Sequence, residues 1–248
     1  MPRRRRGFLD HACYHITHRC HRREFLLKFA RNRDVYLDLL RETAGRFKID
    51  VLDYAVTSNH VHLLIWTRRG TEVASAMQYL QGRFGQIFNR SKSREGAYWS
   101  DRYHSTLIES GRHLGQCLFY IGMNMVRAKA VEHPSEWKHS GYRELSGEKK
   151  RYRIINTVRL MKCLMMDGDV EGFRKWYVRN MDEKLKSAYN SREPMWTDAF
   201  AVGDEGWLKK IHRKFKFKRK KILFNPGATP GSASRKVSEK HSAYYIEG

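Results

Sequence analysis

Strand-like and helix-like runs alternate along the first half of the chain in the order strand, helix, strand, strand, helix, strand, helix, and that order leaves few folds open. Residues 13–17 alternate with the two-residue period of a strand. Residues 34–47 place Val35, Leu39 and Leu40 at helical spacing, with Asp34 as the expected cap. Residues 49–56 read as a second strand and Thr57-Ser58-Asn59 as a turn. His60-Val61-His62-Leu63-Leu64-Ile65-Trp66 follows as a strongly apolar third strand. Over residues 72–89, Val73, Met77, Leu80, Phe84 and Phe88 recur at steps of four, three, four and four, which predicts a helix. A polar loop at 91–96 leads to a fourth strand over 102–108. Residues 111–125 are helical again, with Leu114, Leu118, Ile121 and Met125 in one stripe.

This is the ferredoxin-like βαββαβ pattern of the α+β class, and it predicts an antiparallel sheet with helices packed on one face. Residues 1–142 are expected to form one domain. Residues 143–224 are expected to form a basic helical extension, with helices over 157–166 and 172–186. Residues 225–248, rich in Gly, Ser and Pro at their start, are expected to be a flexible tail. No internal repeat is present, and no apolar run approaches the length of a membrane-spanning helix.

The chain's charge narrows its partners. Forty-nine Lys and Arg stand against 26 Asp and Glu in 248 residues, a formal net charge of +23. Such a chain attracts polyanions, nucleic acid first and acidic membrane surfaces second. Arg3, Arg4, Arg5 and Arg6 open it without the apolar segment of a signal peptide. Residues 207–221 hold nine Lys and Arg and no acid. The four cysteines have no CxxC spacing and read as reduced intracellular thiols. His11, Cys13, His15, His18, Cys20 and His21 invite a zinc reading, but their spacing fits no finger pattern.

His60-Val61-His62 is the sharpest local feature. Side chains at i and i+2 of a strand share a face, so both imidazoles project together while Val61, Leu63 and Ile65 point the other way. Two imidazoles on a rigid strand form part of a metal site that still needs a third ligand; the plainer alternative is two polar residues at a strand's start. Tyr120 and Asn124 are four apart on a helix and share a face. That helix can cross the sheet and bring the phenol and the amide over the two histidines.

With these residues in place, the sequence resembles a known family. Tyr54-Ala55-Val56-Thr57-Ser58-Asn59-His60-Val61-His62-Leu63-Leu64 is similar to the HUH motif of single-tyrosine transposases. Tyr98-Trp99-Ser100-Asp101-Arg102-Tyr103-His104-Ser105 resembles the WxxRYHS block of REP-associated tyrosine transposases, and Tyr120-Ile121-Gly122-Met123-Asn124-Met125-Val126-Arg127-Ala128 resembles their YIxxNPVRA block. Residues 15–23 resemble their opening strand, and residues 196–203 a C-terminal segment of longer members. Met125 stands where the family has Pro, and Gly122 where a polar residue is common.

The resemblance implies an HUH endonuclease that cuts and rejoins single-stranded DNA at REP-type hairpins through a 5′-phosphotyrosine. It implies Tyr120 as nucleophile, and His60, His62 and Asn124 as ligands of Mg²⁺ or Mn²⁺. It implies a bacterial cytoplasmic, nucleoid-associated protein, a monomer using its own tyrosine or alternatively a dimer, with no membrane partner. DNA contacts are expected from Arg3, Arg4, Arg5, Arg6, Arg19, Arg22, Arg23, Arg83, Arg102, His104, Lys214, Lys216, Lys218 and Arg219, with Phe215 and Phe217 as base-stacking rings. The competing functions are a hairpin-binding protein that no longer cuts, and an RNA nuclease that forms no tyrosine adduct.

Overall fold

A computed structural model of the 248-residue chain describes residues 7–187, 193–215, 221–224 and 243–246. In chain order the elements are β1 (Ala12–Arg19), α1 (Ala30–Phe47), β2 (Ile49–Val56), β3 (His60–Thr67), α2 (Gly70–Ser91), β4 (His104–Ile108), α3 (Arg112–Gly122), α4 (Asn124–Arg127) and α5 (Tyr142–Leu145). Then come α6 (Thr157–Leu164), α7 (Val170–Lys186), α8 (Met195–Asp198), β5 (Ala201–Val202), α9 (Glu205–Phe215), β6 (Lys221–Phe224) and β7 (Ala243–Ile246). The sheet runs β2-β3-β1-β4-β5-β6-β7. Its first four strands are antiparallel neighbours in the ferredoxin-like order.

The periodicity placed the first-half elements with local exceptions, one being the helix expected over 111–125, which stops at Gly122 and resumes at Asn124. α1 begins at Ala30 rather than Asp34, behind Phe29, which offers no side-chain cap. The Asp34 carboxylate is engaged elsewhere: it accepts the Nε2–H of His139 at 3.0 Å. A cap must turn back on its own helix, and a tertiary partner has taken this one.

Helices lie on both faces of the sheet, which corrects the one-face expectation. On β1, His18 stacks on Trp99 at 4.3 Å, and Trp99 in turn meets Tyr36 of α1 and Phe84 of α2. The opposite-facing His15 meets Tyr120 of α3 and bonds Trp196 of α8. Strand alternation thus divides the cluster of early His and Cys residues between two layers. The burial of β3 follows: Val61, His62, Leu63, Leu64 and Ile65 are all buried, as in a strand covered on both sides.

The segment after residue 142 builds the second layer and is not purely helical. β5 extends the sheet parallel to β4, β6 pairs parallel to β5, and β7 pairs antiparallel to β6. Core residues from both sides of residue 142 pack into one continuous cluster. The tail expected at 225–248 falls outside the described residues except for β7. Among the described residues, no helix is long and apolar enough to cross a membrane.

Candidate active site

β1, β3 and the α3–α4 segment bring four of the expected groups together. Thr17 pairs with His62 in the β1–β3 register, and Arg19 with His60. His60 and His62 share a face, with ring centroids 4.9 Å apart. Tyr120 approaches from α3, its ring 6.1 Å from that of His62, and is 4% exposed. Asn124 donates its Nδ2–H to His62 Nε2 at 3.0 Å. Helix α3 ends at Gly122 and α4 resumes at Asn124, yet Tyr120 and Asn124 still face one site. Gly122 lets α7 pack closely at the break: a Cβ there would lie 2.5 Å from the Met181 side chain.

The hydrogen bonds determine which histidine nitrogens carry protons. His15 Nδ1 lies 2.8 Å from the Trp196 carbonyl, which can only accept, so Nδ1 is protonated. His15 Nε2 is then the acceptor for His62 Nδ1–H at 2.9 Å. His62 therefore presents an unprotonated Nε2 towards Asn124. His60 follows the same rule: its Nδ1–H donates to Asn59 Oδ1 at 2.7 Å, leaving Nε2 as the unprotonated nitrogen. Two neutral imidazoles with oriented lone pairs are what a divalent cation requires. A half-turn of the Asn124 amide exchanges its NH₂ for a carbonyl oxygen. The chemistry of this donor set fits a metal held by His60, His62 and Asn124.

Burial keeps His15 and His62 neutral. Loss of water lowers the pKa of His15 to about 3, against the opposing Trp196 carbonyl, with His104 and Arg127 pushing the same way as burial. His62 is lowered well below the ordinary range, again by burial first, then by His60, His15, Arg127 and Arg19. Between about pH 6.5 and 3 the unfolded His15 binds a proton that the folded one does not. Its stabilisation is complete above about 6.5 and is lost as pH falls. Denaturation midpoints should therefore decline from pH 7 to pH 5, by at most about 1.4 kcal/mol per pH unit for this group. His15→Gln should flatten that decline; an unchanged slope would refute the assignment.

Two further groups close around the phenol. The Arg127 guanidinium lies 4.1 Å from the centre of the Tyr120 ring. Its Nη1 is buried and makes no hydrogen bond among the described residues. Burial lowers the Arg127 pKa, while Tyr120 and Glu193 oppose that shift. Trp196 packs 6.1 Å from Tyr120 and donates its Nε1–H to Glu193 at 2.6 Å. Thr106 of β4 holds α8 in place by donating to the carbonyls of Trp196 and Ala199. His15, Arg127 and Trp196 stood within the recognised sequence blocks, but nothing local marked them as site residues.

The expected DNA-binding residues are more scattered. Arg22 and Arg23 are exposed in the turn after β1, Arg83 on α2, Arg102 ahead of β4 and Lys214 near the end of α9. His104 turns Nε2 to the Ala199 carbonyl at 3.0 Å, which serves α8 rather than an open surface. Phe215, expected to stack on bases, packs edge-on against Phe200 at 5.0 Å. Arg3, Arg4, Arg5, Arg6, Lys216, Phe217, Lys218 and Arg219 lie outside the described residues. Among the described residues, a His–carboxylate cluster of Glu109, His113 and Asp204 also has metal-ligand spacing. Its atoms are already engaged: Arg112 bonds Asp204 at 3.0 Å, and the Asp204 amide donates to Glu109 at 2.6 Å.

Residues 9–124 match the family described as "Transposase IS200 like". No curated protein matches the chain. A solved structure of a REP-associated tyrosine transposase bound to a REP hairpin is similar over 68% of this chain and 93% of that one, at 17% identity and a TM-score of 0.50. A putative transposase from Deinococcus radiodurans R1 aligns with 42% of this chain and 84% of its own, at 18% identity and a TM-score of 0.34.

Proposed function

Because residues 9–124 belong to the IS200-like transposase family, we propose that the protein cuts and rejoins single-stranded DNA beside a hairpin, with Tyr120 as the nucleophile. The observation that carries this reading is the convergence of the Tyr120 phenol with His62, His15 and Arg127 in one chain. The hairpin in the similar solved structure supports the substrate class. The phenol and the histidines meet within one chain, which supports a reading in which the protein uses its own tyrosine.

In the forward step the Tyr120 oxygen bonds to phosphorus and the bond from phosphorus to the 3′ oxygen breaks. The phenol gives up its proton and the leaving 3′ oxygen takes one, so no net proton is consumed. The product is a 5′-phosphotyrosine and a free 3′-hydroxyl. A second 3′-hydroxyl reverses the step and joins a new strand, so no ATP is needed. Arg127 lies over the Tyr120 ring, and its unpartnered Nη1 would donate to a phosphate oxygen. His60, His62 and Asn124 would hold Mg²⁺ or Mn²⁺, which when bound supplies charge neutralisation at the scissile phosphate. His15 fixes the ring of His62, and Trp196 excludes water from the phenol's far side.

The test uses the full chain and a hairpin oligonucleotide with single-stranded flanks. With Mn²⁺ or Mg²⁺, a species of protein plus DNA fragment should survive denaturing electrophoresis. EDTA should abolish it, and added Mn²⁺ should restore it. Tight binding without an adduct in either metal would favour the non-cutting binder.

A further inference from the structure

The turn between β1 and α1 carries a surface that the cutting chemistry does not use. Phe25 and Phe29 stand 65% and 55% exposed four residues apart, while Leu27 between them is fully buried and anchors the segment. The ammonium groups of Lys28 and Lys92 lie 5.4 and 5.8 Å from the Phe29 ring centre. Arg22 and Arg23, both exposed, sit at φ 50° and 61°. Consecutive non-glycine residues in the left-handed region carry a cost that persists only where the surroundings impose it. Here backbone bonds from Cys20 to Asn59 and from Leu27 to Ser58 tie the turn to the loop that precedes β3. Asn59 connects the two regions: its Nδ2–H donates to the Arg23 carbonyl at 3.3 Å, and its Oδ1 accepts from His60.

We propose that Phe25 and Phe29 form a shelf on which unpaired DNA bases stack as the strand leads to the candidate active site. The proposal rests on the DNA-processing reading above and adds to it a surface that separates unpaired from paired DNA. A single exposed aromatic residue is ordinary. Two in five residues, flanked by Arg22, Arg23, Lys28 and Lys92, match a strand that presents flat rings and phosphates together. The acid within the segment, Glu24, lies 3.8 Å from Arg94 and so is itself countered by a cation. Duplex DNA offers phosphates but keeps its bases stacked internally, so it can use the cations and not the rings. On stacking, a base replaces a lysine over Phe29, and that ammonium passes to a phosphate.

The experiment compares labelled (dT)20 with a labelled blunt, fully paired duplex, by fluorescence anisotropy in EDTA so that nothing is cut. The full chain carrying Phe25→Ala and Phe29→Ala should bind (dT)20 about 10- to 100-fold more weakly. Its affinity for the blunt duplex should stay within about twofold of the parent's, as expected of a phosphate-driven contact. Phe25→Trp with Phe29→Trp should keep the parental (dT)20 affinity. Equal losses on both probes, or no loss on (dT)20, would overturn the shelf. So would retained (dT)20 binding with lost binding to phosphatidylglycerol vesicles, which would make the patch a lipid contact. Because binding is read without cleavage, a missing tyrosine adduct would sink the cutting reaction and leave the shelf standing.

Discussion

Tyr120→Phe is expected to abolish covalent capture of DNA: the adduct expected of the parent chain with hairpin DNA and Mn²⁺ should fall by at least about four orders of magnitude, below detection on a denaturing gel. The substitution removes one oxygen and leaves the ring. Arg127 therefore keeps its stacking partner, 4.1 Å from the ring centre, so thermal unfolding should remain cooperative with a midpoint close to the parent's. Hairpin affinity measured in EDTA should match the parent's. An adduct of undiminished yield in the variant would place the nucleophile elsewhere and remove the basis of the mechanism.

Arg127→Ala should slow adduct formation by about 10²- to 10³-fold at saturating hairpin, the scale seen when a donor aimed at developing charge is deleted. A partly buried cation whose Nη1 lacks a partner is costly to maintain, which suits a group that awaits an anion. The carboxylate nearest in charge terms, Glu193, already accepts from Trp196. A merely structural arginine would lower the melting temperature and the hairpin affinity together. A catalytic one lowers kcat and leaves KM nearly unchanged. Arg127→Lys should recover part of the rate, because it restores a point charge without the planar fork that can serve a phenol and a phosphate at once. Loss confined to KM, with full kcat, would reject the role.

Both predictions depend on groups that differ in how visible they were in the chain. His60 and His62 could be paired from spacing alone, since a strand returns to the same face every second residue. Tyr120 and Asn124 were paired by the four-residue step of a helix, and that pairing survived the break at Met123. The early substitution of Met125 for proline did not displace Asn124, which still reaches His62 at 3.0 Å. The cap expected of Asp34 failed because His139, 105 residues away, bonds its carboxylate.

The order of strands and helices, and which side chains within each share a face, were determined by the sequence, because both follow from intervals of two to four residues. The tertiary structure alone decided that His15 would orient His62, that Arg127 would cover the phenol and that Trp196, 181 residues from His15, would supply the carbonyl fixing the imidazole protons. Those relations join distant segments across a sheet buried on both faces. Long-range register and layer packing set them, and no local period encodes either.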